Sequence, residues 1–297
     1  SRIISYFIFK ICKFENFKGD FMKVGIVGLG LMGGSLGLAL KDEKLVSCVS
    51  GYDLNEDHQA KALQLGLVHE ILTLDEMKKK CDIIFLAIPV EAIIKIVQNL
   101  TDIDENTTVI DLGSTKQKII EAVPLSIRKN FIPAHPMAGT EYSGPEAAFK
   151  TLYNGAVVVI CDFEESGEKH VKRSVELFSH LGMKIVFMNA DEHDHHVGLI
   201  SHLPHAIAFS LASGILKEED KRHIMALGGP TFRGMIRVAK SSPVMWGDIF
   251  KQNKQNIIGA IDMFKGELEA CERLIKEERW SELHDWMAGA RTIREIL

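Results

Sequence analysis

The sequence predicts an α/β chain in two unlike parts, a doubly wound parallel sheet over residues 22–189 followed by an all-helical region over 190–297. Three observations carry this. Short β-branched runs alternate with helical patterns up to about residue 189, the signature of strands joined by crossover helices. Such runs disappear beyond it. A length of 297 residues also suits two domains at roughly 150 residues each. Strands are expected at 23–27, 46–52, 82–88, 108–112, 130–134, 156–160 and 184–188, each a short apolar stretch. Helical stretches at 33–41, 56–65, 90–100 and 166–181 supply the connections that parallel strands require.

In the second part Leu199, Leu203, Ile207, Leu211 and Ile215 recur every four residues and define one helix face. Ser242 and Pro243 read as an N-cap followed by proline in the first turn. They open a single helix to about residue 278, with Ile257, Ile261, Phe264 and Leu268 on one side. At 1.5 Å per residue that helix would be roughly 50 Å long, too long for so small a domain to cover, which predicts a homodimer. Residues 1–21 are rich in Phe and Ile but interrupted by Lys10, Lys13 and Lys18. They read as an extension outside the core, with a signal segment or a surface helix as alternatives.

The 35 basic and 40 acidic residues give a net charge of −5, which argues against a nucleic-acid footprint or a basic membrane patch. An anionic ligand must therefore be held by a local basic site. The five cysteines are scattered, without a Cys-x-x-Cys pair, so neither a disulfide framework nor a thiolate metal site is expected and a reducing cytoplasm fits. No run of about 18 uninterrupted apolar residues suggests a spanning helix.

The most specific motif is Gly28-Leu29-Gly30-Leu31-Met32-Gly33, which follows the first strand and opens a helix. Asp53 stands 20 residues beyond Gly33, at the end of the next strand. This is a full Rossmann-like dinucleotide fingerprint. Gly28 permits the tight turn, Gly30 lets the backbone approach a pyrophosphate, Gly33 lets helix and strand pack closely, and Leu31 and Met32 open the helix at the anion. Asp53 suits a free ribose 2′-hydroxyl and would repel a 2′-phosphate, and the nearest following Lys or Arg is Lys61, so NAD is expected over NADP.

Asp111-Leu112-Gly113-Ser114-Thr115-Lys116 ends a strand at the carboxyl edge of the sheet, where ligands of this architecture bind. Ser114 is either a donor to a ligand or a helix cap. His135, after the following strand, would project from the same edge, and a neutral imidazole there could accept a proton. The cluster Asp191-Glu192-His193-Asp194-His195-His196 raises the question of a metal. It lacks the His-Glu-x-x-His pattern, and a helix would point its histidines in different directions, so none is expected. Pro204 would kink a helix near His202 and His205 and make a pocket wall. Arg233 and Arg237, four apart, could hold a carboxylate or simply be solvated.

Together with Ser201-His202-Leu203-Pro204-His205, the run His135 to Gly144, and Arg237-Val238-Ala239-Lys240-Ser241 with Met245-Trp246 behind it, these motifs make residues 22–297 resemble the prephenate dehydrogenases of tyrosine biosynthesis. The resemblance implies an NAD-dependent oxidative decarboxylation of prephenate to 4-hydroxyphenylpyruvate by a cytoplasmic homodimer whose dimerisation domain is the helical part. It implies that His135 engages the substrate hydroxyl with help from Ser114, and that His205 and Arg237 hold the substrate. Glu141 would lie at the entrance, and Trp246 would come from the second subunit. Relatives often carry an acidic residue three positions before the arginine matched by Arg237, where this chain has Gly234, so an ionic gate built with Glu141 is placed in doubt. Arogenate, or both substrates, is the alternative specificity. A non-catalytic NAD-binding dimerisation module is the distant one. The matched region holds no appended amino-acid-sensing domain, so inhibition by L-tyrosine is expected at the substrate site.

Overall fold

A computed structural model describes residues 21–296, so the expectation for residues 1–21 falls, Phe21 apart, outside the described residues. The strands are β1 (Met22–Val27), β2 (Val46–Tyr52), β3 (Glu70–Ile71), β4 (Ile83–Leu86), β5 (Thr108–Asp111), β6 (Phe131–Pro136), β7 (Val157–Cys161) and β8 (Lys184–Met188). They form one sheet in the order β3-β2-β1-β4-β5-β6-β7-β8. Helices α1 (Leu31–Leu40), α2 (Glu56–Gln64), α3 (Leu74–Lys80), α4 (Val90–Gln98), α5 (Gln117–Ala122) and α6 (Glu168–His180) cover its faces. Because both faces are covered, the central strands are apolar on both sides: Val24, Ile26, Ile83 to Leu86, Val109 and Ile110 are all buried.

One strand departs from the expected parallel sheet. β7 runs antiparallel to β6, pairing His135 with Val159. The chain between them holds only a short 3₁₀ turn, Pro145–Ala147, and without a crossover helix it returns in the opposite direction. The two-residue β3 was too short to be read from pattern. The strand order reverses between β1 and β4, so their carboxyl ends frame the crevice in which ligands of open α/β sheets bind.

The helical half begins with a continuous rod: α7 (Ala190–Val197), a π-helical turn (Gly198–His202) and α8 (Leu203–Glu218). Pro204 sits in the first turn of α8, directly after the wide turn, so its missing N–H is absorbed by the change of helical register. Then come α9 (Lys221–Leu227), α10 (Pro230–Ile236), α11 (Pro243–Gln252), α12 (Lys254–Lys276) and α13 (Trp280–Ala290). The single helix expected from Pro243 to about residue 278 is therefore two, broken at Asn253. Ser242 does cap the first, accepting from the Met245 N–H. The break has a physical cause. The Asn253 amide is buried and donates to the Asp194 carbonyl at 2.7 Å and to His202 Nδ1 at 3.1 Å, competing with helical continuation.

Candidate active site

A cleft of about 600 Å³ opens where the carboxyl edge of the sheet meets the helical half. That is the size of a small-molecule or cofactor site.

On the sheet side, the fingerprint glycines have the geometry their positions require. Gly28 has φ +96°, and a Cβ there would run into the Ala87 carbonyl; a Cβ on Gly33 would collide with the Gly28 carbonyl. Gly30 is the N-cap of α1, so the first free N–H groups of the helix face the cleft, with Leu31 and Met32 lining it. The Asp53 carboxylate accepts from the Leu29 N–H at 2.8 Å and the Asn55 N–H at 2.9 Å, which fixes it beside the glycine turn. His58 lies 3.5 Å from the same carboxylate. Lys61, the nearest basic residue in sequence, is committed to Glu146 at 2.8 Å. A glycine cradle at a helix N-terminus, closed by an oriented carboxylate, fits the pyrophosphate and ribose diol of a dinucleotide lacking a 2′-phosphate.

His135 stands near the end of β6, partly exposed to the cleft. Burial pushes its imidazole well below the usual histidine value, and positive charge at His193, Lys116 or His202 acts in the same direction. The ring is thus neutral at pH 7. Its Nδ1 lies 2.8 Å from His193 Nε2, and His193 Nδ1 lies 2.8 Å from Asp194 Oδ1. Ser114 lines the cleft on the adjacent β5 edge. Its alternative role as helix cap is taken by Asp194, whose two oxygens accept from the Lys116 N–H at 2.8 Å and the Gln117 N–H at 3.0 Å at the start of α5. Behind both residues, fully buried Lys116 pairs with Asp111 and donates to the Ala134 carbonyl at 2.7 Å. Asp111 in turn accepts from the Gly113 N–H at 2.9 Å. This pair stitches the turn carrying Ser114 to the strand carrying His135.

The helical side supplies the remaining walls. His205 stacks on Trp246 with ring centroids 3.5 Å apart and planes 21° apart. Its Nδ1–H donates to the Ser201 carbonyl at 2.9 Å, which leaves Nε2 as a lone-pair acceptor. Burial, with a smaller contribution from Arg237, lowers its pKa against protonation. Trp246 of this same chain lines the cleft. Arg237 and Glu141 face each other across the mouth, Nη1 to Oε2 at 3.3 Å. That contact forms although residue 234 is glycine; a Cβ there would meet nothing within 4 Å, so no neighbour awaits a side chain. Arg233 does not reach the cleft: its Nε–H caps the Gly228 carbonyl at 2.7 Å, and the helix ends at Ile236 before Arg237.

The sequence reading missed Lys116 as a buried cation and His193 with Asp194 as inward-facing groups. The signal for the latter pair was present. Ala190, His193, Asp194 and Val197 share the buried side of α7, while His195 and His196 point outward.

Comparison with known proteins agrees with this geometry. Residues 36–187 match the family profile described as "Prephenate dehydrogenase, nucleotide-binding domain", and residues 189–289 match "Prephenate dehydrogenase, dimerization domain". A Bacillus subtilis prephenate dehydrogenase is 30% identical over 280 residues, covering 92% of this chain and 75% of that one. A Zymomonas mobilis cyclohexadienyl dehydrogenase is 29% identical over 263 residues, 87% of this chain and 90% of that one. Among solved structures, prephenate dehydrogenase from A. aeolicus in complex with hydroxyphenyl propionate and NAD+ superposes with a TM-score of 0.86 at 32% identity, covering 94% of this chain and 99% of that one. The chain with this glycine cradle, neutral histidine and arginine-guarded cleft belongs to the prephenate dehydrogenase family.

Proposed function

We propose that the protein catalyses the NAD+-dependent oxidative decarboxylation of prephenate to 4-hydroxyphenylpyruvate. The observation that carries this reading is a neutral His135 placed between a dinucleotide cradle and an arginine across the cleft. Bound at Gly28, Gly30, Leu31, Met32, Gly33 and Asp53, the nicotinamide cofactor supplies the hydride acceptor.

Arg237 receives a substrate carboxylate, which must displace Glu141 from its guanidinium, so entry exchanges one carboxylate for another. Ser114 and His135 take the ring hydroxyl. His135 Nδ1 is turned to His193, so Nε2 is the nitrogen that accepts the hydroxyl proton as the carbon–hydrogen bond breaks. The resulting dienone loses carbon dioxide, whose bonding pair flows through the ring to the carbonyl oxygen and makes a phenolate. The proton held on His135 returns to that oxygen, so the reaction releases no net proton. Aromatisation drives the step, and the protein's part is positioning and proton custody.

One observation favours a second specificity. With Nδ1–H spent on Ser201, neutral His205 presents an acceptor near Arg237, and an acceptor suits an ammonium group better than a second carboxylate. Arogenate, or both substrates, is therefore the alternative, and L-tyrosine would compete through the same contacts. The reading also includes a soluble homodimer formed through the helical half, with the domain division at residues 189/190.

Following NADH absorbance with prephenate and with arogenate tests the proposal directly. Turnover of prephenate is expected, and Arg237→Gln should raise its KM by about one to two orders of magnitude with little change in kcat, as for loss of ground-state binding. No turnover of either compound while NAD still binds would leave only a non-catalytic NAD-binding module. A tyrosine effect that persists at saturating prephenate would reject the shared site.

A further inference from the structure

The groups behind His135 form an ordered chain, and its donors and acceptors can be assigned from one end. Both Asp194 oxygens accept backbone N–H groups, from Lys116 at 2.8 Å and Gln117 at 3.0 Å, so this carboxylate is fixed at the start of α5. Asp194 Oδ1 also faces His193 Nδ1 at 2.8 Å. A carboxylate only accepts, so His193 Nδ1 carries the proton and Nε2 of the neutral ring is a lone pair. That lone pair lies 2.8 Å from His135 Nδ1, which must then be the donor. The last atom of the chain, His135 Nε2, is left without a proton. His193 and Asp194 are 1% and 3% exposed, so water does not compete for these contacts.

We propose that His193, held by Asp194, is a positioning residue that locks His135 in the tautomer whose Nε2 lone pair faces the cleft and shares the positive charge that arises there when the substrate proton arrives. The inference rests on His135 being the proton acceptor. The alternative His135 tautomer would set Nε2–H against the substrate hydroxyl and leave no base. When the hydroxyl proton transfers to Nε2, the Nδ1–H bond points into an acceptor backed by a carboxylate. The imidazolium is therefore stabilised without a second proton leaving the pair. The contact is stronger in the charged state than in the neutral one, so its loss should appear in kcat. The sequence neighbours His195 and His196 are exposed on the other side of α7 and cannot substitute.

The test compares His193→Leu, which removes the acceptor, with His193→Gln, whose amide oxygen can still accept from His135 Nδ1. Each is made alone and in the His135→Asn background, with NAD affinity measured as a control for folding. His193→Leu should lower kcat by 10- to 100-fold with the KM for prephenate changed by less than about threefold, and His193→Gln should recover most of the loss. In the His135→Asn background His193→Leu should cost nothing further, because it acts through a ring that is no longer there. In ¹⁵N-histidine spectra His135 should be the Nδ1–H tautomer in the wild type and lose that preference in His193→Leu. A wild-type kcat in His193→Leu, additive losses in the double variant, or an unchanged tautomer would each overturn the proposal. A wild-type kcat in His135→Asn alone would instead overturn the assignment of the base on which it rests.

Discussion

The two halves of the molecule are finished to different degrees. In the sheet half a single chain covers both faces, and the strands at its centre are sealed: Val24, Ile26, Ile83, Ile84, Phe85 and Leu86 show no exposure. In the helical half large apolar side chains stay outside. Leu216 on α8 is 64% exposed, Leu227 on α9 81% and Leu268 on α12 58%. Scattered apolar residues are ordinary on a surface, whereas a concentration of them on one domain marks a surface meant to be covered. The difference teaches a division of labour. The sheet half carries the glycine cradle and His135, while the helical half carries His205, Arg237 and Trp246 and leaves apolar side chains uncovered, as fits a surface for a second copy.

That division is broken most sharply by chemistry. His135→Asn should lower kcat by about 10² to 10⁴, the usual worth of a general base, with KM for prephenate within a few-fold of wild type. The sheet-side lesion would then act on the chemical step, and Arg237→Gln, on the helical side, on binding. Steady-state kinetics of the two variants side by side decides it. A kcat loss shared equally by both would show that the halves are not separable in function.

The next effect concerns the uncovered face. Burying a leucine contributes about 1.5 to 3 kcal/mol, and a two-fold interface counts each substitution twice. Leu216→Asp or Leu268→Asp should therefore weaken self-association by roughly 100-fold or more and yield monomers at micromolar concentration by light scattering. Leu54→Asp and Leu125→Asp, at still more exposed apolar positions of the sheet half, should leave the assembly unchanged. Four variants with the same mass as wild type would reject the helical half as the dimer surface.

The same contrast explains what could be read without coordinates. Parallel strands buried on both faces must be apolar along their length, so the sheet, the fingerprint and Asp53 were legible as local pattern. The direction of β7 was not, because it is decided by the missing crossover helix rather than by residues 157–161. Nor was the break at Asn253, which depends on Asp194 and His202, both more than 50 residues away. His193 stood in view as part of a histidine-rich run, yet its partner His135 is 58 residues distant. The stacking of Trp246 on His205 was not legible either, because it is a fact of tertiary structure. The rule is physical: periodicity reports which side of an element is buried, and says nothing of which polar group it meets there.

Acid provides a gentler comparison, because each half holds, away from His135, a buried histidine with a strongly depressed pKa. Burial lowers both His170, behind the sheet, and His202, beside Trp246, to about 4. Their unfolded values are about 6.5, so the unfolded chain takes up these protons first and stability rises with pH across this window. The contribution is complete above about pH 6.5 and is lost as pH falls to 4, by roughly 3 kcal/mol per site. Thermal melts from pH 7.5 to 4 should show a steep fall. His170→Gln and His202→Gln should each flatten the slope, the former reporting the sheet half and the latter the helical half. A slope unaffected by either substitution would assign the acid sensitivity to other groups.

The smallest effect is expected where the sheet half discriminates between cofactors. Asp53 holds the Leu29 N–H at the mouth of the glycine turn, and in the proposed reading the same carboxylate would also meet the ribose diol. Asp53→Ser removes the charge that would repel a 2′-phosphate, which should improve kcat/KM with NADP. It also shortens the group that ties down the turn, so kcat/KM with NAD should fall, each change being about tenfold or less on the scale of one charge-assisted hydrogen bond. Full conversion to NADP is not expected, because Lys61, the nearest lysine or arginine following Asp53 in sequence, is engaged by Glu146. Asp53→Ser combined with Glu146→Gln frees that lysine and should extend the gain with NADP beyond the single variant. Initial-rate measurements with both cofactors test the pair. An NAD-to-NADP ratio that does not move in Asp53→Ser would mean that the carboxylate serves the backbone alone and that selectivity is set elsewhere in the cradle.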